Sequence, residues 1–352
     1  MPAESRSPRA ESARILLVDD PRFELHAAAE EHPERPARLH AARAALNSAA
    51  RAGIVAERIT PRAATDAELM RVHSGRFLDE LDKLRGRTAY LDPDTYVSPQ
   101  SVDVARLAAG SLVAMIDRVI DGDVPKGVAL LRPPGHHARR SQAMGFCLLN
   151  NVAVAAAHAR ARGLERVAII DWDVHHGNGT QEIFWRDPAV LYVSTHQYPF
   201  YPGTGAADET GEGEGTGFTV NVPLAAFRGD AVYASAFERV ILPVVDEYRP
   251  DLVLISAGFD AALRDPLAQM ELSSDAFGWM AQSLARIADQ HAKGRLAIVL
   301  EGGYDLPSLE DGLRSAVTGI GLKDATELRR ANDDPGVVRA AQAAKRAWRV
   351  VS

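Results

Sequence analysis

The residues of this 352-residue chain best suited to chemistry are an aspartate and a histidine two positions apart, Asp173 and His175, inside the run DWDVHH from Asp171 to His176. In an extended strand end, alternate side chains share a face, so Asp171, Asp173 and His175 point one way while Trp172 and Val174 pack behind them. A carboxylate and an imidazole placed like this suit a divalent metal. Zinc accepts both donors, and a catalytic site uses three protein ligands and keeps a position open. The third ligand expected is Asp260, which ends the apolar run LVLISAGFD, because a carboxylate terminating a buried strand is costly to desolvate without a partner or a metal. Asp171 is then left to support a neighbouring group.

RPPGHH supplies two adjacent histidines, His136 and His137, on a loop stiffened by Pro133 and Pro134 and bent at Gly135. Imidazoles titrate near neutral pH, so a tandem pair beside a metal suits general acid and base work. Each needs an acceptor on its second ring nitrogen, and Asp171 and Asn178 are the candidates; the charged one should raise its imidazole's pKa more than the neutral one. EGGYD places Tyr304 after two glycines that allow backbone to approach a ligand closely. A phenol there can donate to an oxyanion, although taken alone it would be a core tyrosine. Other features carry less. The glycine-rich run from Gly211 to Gly217 precedes a strand and is expected to be a flexible loop, Cys147 reads as a core thiol, and His32 in HPERP as part of a helix entry.

The elements that must position these groups follow a repeated pattern of apolar strand, polar loop and helix, which signals βαβ units and a central, mainly parallel sheet. Strands are expected at RILLVDD from Arg14, GVALL, RVAIID, AVLYVSTHQ, GFTVNVPL, DLVLISA and RLAIVL, and helices over 36–52, 66–84 and 101–120 and in four later segments. The chemistry-bearing residues all lie just past strand C-termini. In open α/β sheets that is where ligands bind, so segments distant in sequence converge there.

An apolar fraction of 46% and a charged fraction of 25% permit one large globular core. The net charge of −7, with no clustered basic stripe, argues against nucleic acid as a partner. A single cysteine excludes a disulfide framework and a multi-cysteine zinc cluster, so any metal is held by histidines and carboxylates. No stretch of 18 apolar residues suggests a membrane span, and the polar first dozen residues lack the apolar run of a signal peptide. The expectation is a cytoplasmic protein with a disordered tail over 1–13 and a catalytic domain over 14–352, ending in one or two surface helices from about residue 326.

Taken together, RPPGHH, GFCLLNN, DWDVHHGNGTQ, PGTG, SAGFDA and EGGYD resemble the histone deacetylase family, nearer its class II branch and bacterial relatives, from HPERP near residue 32 to about residue 320. The resemblance implies a single-domain, three-layer, arginase-like α/β fold, a narrow tunnel for an acylated lysine, and hydrolysis of its amide at one zinc ion. By motif, Asp173, His175 and Asp260 correspond to the zinc ligands, Tyr304 to the catalytic tyrosine, and His136 and His137 to the tandem histidines, with Asp171 and Asn178 as their partners. Asn178 stands where class I members carry Asp. Gly145, Phe146 and Tyr201 correspond to tunnel walls, Phe being more usual at the last, and Arg38 to an arginine at the foot of the pocket. Either histidine could be the general base, with His137 delivering a proton to the leaving amine and Tyr304 stabilising the oxyanion.

The resemblance also implies one or two potassium ions. One would lie near Asp171, Asp173, His175, Ser194 and Thr195, and another against backbone carbonyls near Phe184, Asp187, Val190 and Phe218. Polyamine-specific relatives carry a glutamate after a DP dipeptide where this chain has Leu267. That favours acyl-lysine in a protein or peptide, with acylated small amines, and so an acetylpolyamine amidohydrolase, as the alternative. Asp92 or Asp94 is expected to hold the substrate backbone. A ureohydrolase would need a two-metal set that His176 and SAGF do not provide, and a non-catalytic binding module would not need Tyr304. The acyl chain preferred and the oligomeric state, a homo-oligomer among the options, stay open.

Overall fold

Short apolar runs between polar loops form the strands of the computed structural model, which describes residues 13–322, 325–331, 333–349 and 351. The strands are β1 (Ala13–Val18), β2 (Ile54–Arg58), β3 (Ala89–Tyr90), β4 (Tyr96–Val97), β5 (Lys126–Ala129), β6 (Val167–Asp171), β7 (Val190–Gln197), β8 (Thr219–Leu224), β9 (Leu252–Ala257) and β10 (Leu296–Leu300). Eight form one sheet in the order β2-β1-β5-β10-β9-β6-β7-β8, and every pairing in it is parallel; β3 and β4 make a separate antiparallel pair. Every residue of β6, β7, β9 and β10 is buried, which is why these segments read as continuous apolar runs without alternation.

The helices are α1 (Ala37–Arg51), α2 (Asp66–Leu69), α3 (Gly75–Asp82), α4 (Ser101–Asp121), α5 (Asn151–Ala161), α6 (Asn178–Phe184), α7 (Asp230–Ala236), α8 (Leu242–Tyr248), α9 (Ser274–His291), α10 (Leu306–Leu322) and α11 (Pro335–Ala344). A π-helical turn, Phe237–Ile241, joins α7 to α8. Helices α1, α9 and α10 pack together on one face of the sheet, and α4 and α5 on the other, completing three layers. None of the described helices is long and apolar enough to cross a membrane.

From β6 the chain steps outward through β7 to β8, then returns to β9 beside β6 and steps the other way to β10. The junction of β6 and β9 is therefore the topological switch point, where connections leaving in opposite directions open a crevice beyond the strand ends. Asp173 follows β6 and Asp260 follows β9, so the topology brings both to that crevice.

Three expectations change. The helix expected over 66–84 is two short helices, because the Thr65 capping box starts α2 while the Ser74 side chain accepts from the Phe77 amide and starts α3. The tail expected over 1–13 falls outside the described residues up to residue 12, and Ala13 already belongs to β1. Residues 325–331 are not helical, and the C-terminal helix starts only at Pro335. One face of it is buried, Val337, Ala340, Ala341 and Ala344 packing against β8, while Pro335, Arg339 and Gln342 are exposed on the other.

Candidate active site

Past Asp171 the backbone leaves the sheet in a series of bends, so Asp173 and His175 converge through a turn and not through strand alternation. His175 Nδ1 lies 3.2 Å from Asp173 Oδ1 and 3.2 Å from Asp260 Oδ2. One donor atom from each residue falls within 4.8 Å of the others, a spacing a single ion can bridge. The outer carboxylate oxygens are anchored: Asp173 Oδ2 accepts from the Gly302 amide (2.8 Å) and Asp260 Oδ1 from the Val174 amide (3.0 Å). Asp260 Oδ2 is buried with no hydrogen-bond partner. Burial, then the charge of Asp173, raises the Asp260 pKa, whereas His175 is pushed up to about 10, the nearby carboxylates of Asp173 and Asp260 outweighing desolvation. The electrostatic demand that holds a proton on His175 would equally favour a dication among the three. An aspartate–histidine–aspartate set with one unpartnered buried oxygen fits zinc.

Gly302 forms the floor. A Cβ there would lie 2.1 Å from Asp260 Oδ2 and 2.5 Å from Asp173 Oδ2, so only glycine lets the chain leaving β10 run this close beneath the carboxylates.

The tandem histidines are buried at the entrance to this floor. His136 Nδ1 is 3.0 Å from Asp171 Oδ2, an oxygen that also accepts from the Tyr192 hydroxyl (3.2 Å). His137 Nδ1 is 2.8 Å from Asn178 Oδ1. Desolvation opposes charge on both rings. For His136 the charges of Asp171 and Asp173 win and push it up to about 10; His137, facing the neutral Asn178, is lowered well below the ordinary value by burial and by the charges of His136 and His175. The two imidazoles, their rings 4.0 Å apart, are thus shifted in opposite directions.

A cavity of about 250 Å³ opens over these groups. Its walls include Gly145, Phe146, Tyr201, Leu267 and Tyr304, together with Pro134, Asp94 and Phe200. Gly145 has φ +57° and a Cβ on it would lie 2.5 Å from the His137 ring, so glycine is required on that wall. Phe200 is a residue the motifs did not single out, although the aromatic run YPFY was its signal. Its ring stacks on His175 at 5.5 Å, while Tyr201 meets His137 edge-on at 5.2 Å. Of the two aspartates in LDPDTY, Asp92 is engaged in its own turn, accepting from the amides of Asp94 and Thr95, and Asp94 faces the cavity. A larger cavity of about 600 Å³, on the far side of Asn178, holds none of the three ligands.

Tyr304 is held from behind. Its amide donates to Asp265 Oδ2 (2.6 Å), and Asp265 Oδ1 accepts from the Leu267 amide (3.0 Å), so one buried carboxylate sets both cavity residues. Burial raises the Tyr304 pKa well above its usual value, which keeps the phenol a donor. Arg38 does not reach into the cavity as a free cation. Its guanidinium lies 5.0 Å from the Tyr304 ring centroid, donates to the carbonyls of Gly303 (2.7 Å) and Glu301, and pairs with Glu34, which also pairs with Arg132.

Ser194 lies opposite Asp171 in register on β7, and the buried Thr195 Oγ1 has no partner. Phe184, Asp187 and Val190 form successive turns, the Asp187 amide donating to the Phe184 carbonyl (3.0 Å) and the Val190 amide to that of Asp187 (3.4 Å), while the Phe218 carbonyl accepts from Tyr192 (2.9 Å).

Compared with known proteins, residues 32–320 match the histone deacetylase domain. The chain is 45% identical over 304 residues to Histone deacetylase 15 of Arabidopsis thaliana, an alignment covering 84% of this chain and 53% of that protein, so it spans about half that relative's length. It is 44% identical over 282 residues to the Histone deacetylase-like amidohydrolase of Pseudomonas aeruginosa, covering 76% and 74%, and 42% identical over 322 residues to Polyamine deacetylase HDAC10 of Homo sapiens, covering 86% and 45%. The crystal structure of the HDA15 HD domain matches with a TM-score of 0.89 at 39% identity, covering 97% of both chains.

Proposed function

The chain belongs to the histone deacetylase family, and from that premise we propose that it hydrolyses the amide of acylated lysine in proteins or peptides with one zinc ion held by Asp173, His175 and Asp260. The observation that carries this is the meeting of Asp173, His175 and Asp260, the tandem histidines and Tyr304 at one narrow cavity. Zinc bound there would supply a Lewis acid and a nucleophile available at neutral pH.

The protein's own groups do the rest. With its Nδ1 donating to Asn178 Oδ1, a neutral His137 presents Nε2 as the acceptor for the proton of the attacking water. The new C–O bond forms, and the same Nε2 returns the proton to the amine as the C–N bond breaks. His136, held as a cation by Asp171, adds positive charge beside the oxyanion without leaving its partner. Tyr304 donates its phenolic hydrogen to that oxygen. Phe146, Phe200 and Tyr201 enclose the alkyl chain of the lysine and exclude water, while Asp94 at the rim is suited to accept from a backbone amide of the substrate. A monovalent cation beside Asp171 rests on the family resemblance and on the unpartnered Thr195 Oγ1.

Acyl-lysine is favoured over acetylpolyamine because the half-buried Leu267 on the cavity wall offers a distant ammonium no counter-charge. A side-by-side assay of an acetyl-lysine peptide and N-acetylspermidine tests this, and preference for the polyamine overturns it. In the same assay Leu267→Glu should raise the polyamine-to-peptide ratio of kcat/KM about tenfold, the worth of one charge-assisted hydrogen bond. An unchanged ratio would show that Leu267 does not set the choice.

A further inference from the structure

Glu301 is a fully buried carboxylate that none of the steps above uses. It follows β10 at the head of EGGYD, and its side chain turns away from the metal ligands toward the loop between β5 and α5. Oε2 accepts from the amides of Gly135 (2.6 Å) and His136 (3.2 Å), and Oε1 accepts from Ser256 Oγ on β9 (3.0 Å). The three donors are neutral, and burial outweighs the charge of the nearby His136, so the carboxyl's pKa is pushed up to about 7. A neutral or apolar residue would be cheaper to bury at this position.

The geometry points to a role for that cost: we propose that Glu301 is a positioning residue, whose carboxylate fixes the backbone of the tandem-histidine loop to the ends of β9 and β10. This rests on the reading of His136 and His137 as the acid and base groups. The loop is also tethered at the Pro133 carbonyl, which accepts from Asn151 Nδ2 (3.1 Å), and at the His136 carbonyl, which accepts from the amides of Gly179 and Thr180 (both 3.1 Å). Glu301 is the side chain that holds the amides of Gly135 and His136, on the N-terminal side of the pair. Both rings are set by a single hydrogen bond at Nδ1, to Asp171 and to Asn178, so a shift of the 135–136 peptide moves both off their partners at once. Because the displaced groups act on the reacting atoms and not on the tunnel walls, the loss should fall on kcat.

The test is Glu301→Leu, which keeps a similar size and leaves the Gly135 and His136 amides without their acceptor. Turnover is expected to fall about 10- to 100-fold, the scale of a small misplacement of reacting groups, with KM within about twofold of wild type. Zinc content should stay at the wild-type value, and hydrogen exchange of the peptide spanning residues 134–138 should rise about tenfold. Wild-type kcat, or exchange in that peptide unchanged, overturns the proposal. If the variant does not fold, Ser256→Ala, which frees Oε1, decides in its place: faster exchange at 134–138 with a smaller fall in kcat supports the proposal, and wild-type values of both overturn it. If wild-type protein hydrolyses no acyl substrate, the functional reading fails, and the exchange measurement still decides what Glu301 holds.

Discussion

Asp260→Asn should abolish stoichiometric zinc binding and lower amide hydrolysis by about 10³-fold or more, the loss expected when Lewis-acid stabilisation worth several kcal/mol disappears. Asparagine matches the shape of aspartate, and its carbonyl oxygen can still accept from the Val174 amide at 3.0 Å, so the variant should fold. What it removes is the charge on Oδ2, the buried oxygen left without a partner. The discriminating readout is thermal stability with and without added zinc. A ligand that binds only the folded state raises stability in proportion to the logarithm of its concentration over Kd, so wild-type protein should melt higher with zinc and Asp260→Asn should not. A variant that keeps both the zinc-dependent shift and its turnover would remove Asp260 from the site.

Tyr304→Phe should separate chemistry from metal binding. The ring is packed against Phe146 at 5.8 Å and over the Arg38 guanidinium, contacts that phenylalanine retains, and its backbone tether to Asp265 is untouched. Only the hydroxyl goes. One oxyanion donor contributes about 10²- to 10³-fold to turnover, so kcat should fall by that factor while zinc content stays that of wild type. Activity within a few-fold of wild type would return Tyr304 to being a wall of the cavity.

Much of this site could be read from residue order because strand ends announce themselves. Asp171 and Asp260 each close an apolar run, and a carboxylate in such a place needs a reason. The parallel sheet followed from the repetition of those runs. Less legible was whatever depends on contacts between distant segments. Nothing local to HPERP shows that Glu34 sits between Arg38 and Arg132, and nothing local to EGGYD shows that Glu301 reaches the loop 165 residues earlier. Phe200 and Tyr201 are adjacent aromatics, and only the course of the loop shows that both face the cavity. The division of 66–84 into two helices was written in Thr65 and Ser74, but the apolar periodicity across them masked those caps. At the C-terminus, the small residues Ala340, Ala341 and Ala344 of α11 lie against β8, a contact that residue order alone does not show.

The most direct test of the central claim is hydrolysis of a panel of acyl-lysine peptides by wild-type protein as its bound zinc is titrated. Activity should rise linearly to a maximum at about one ion per chain, be lost on chelation and be restored by zinc. Full activity in metal-free protein, a maximum at two ions per chain, or no hydrolysis of any acyl-lysine substrate by the zinc-loaded protein would contradict it.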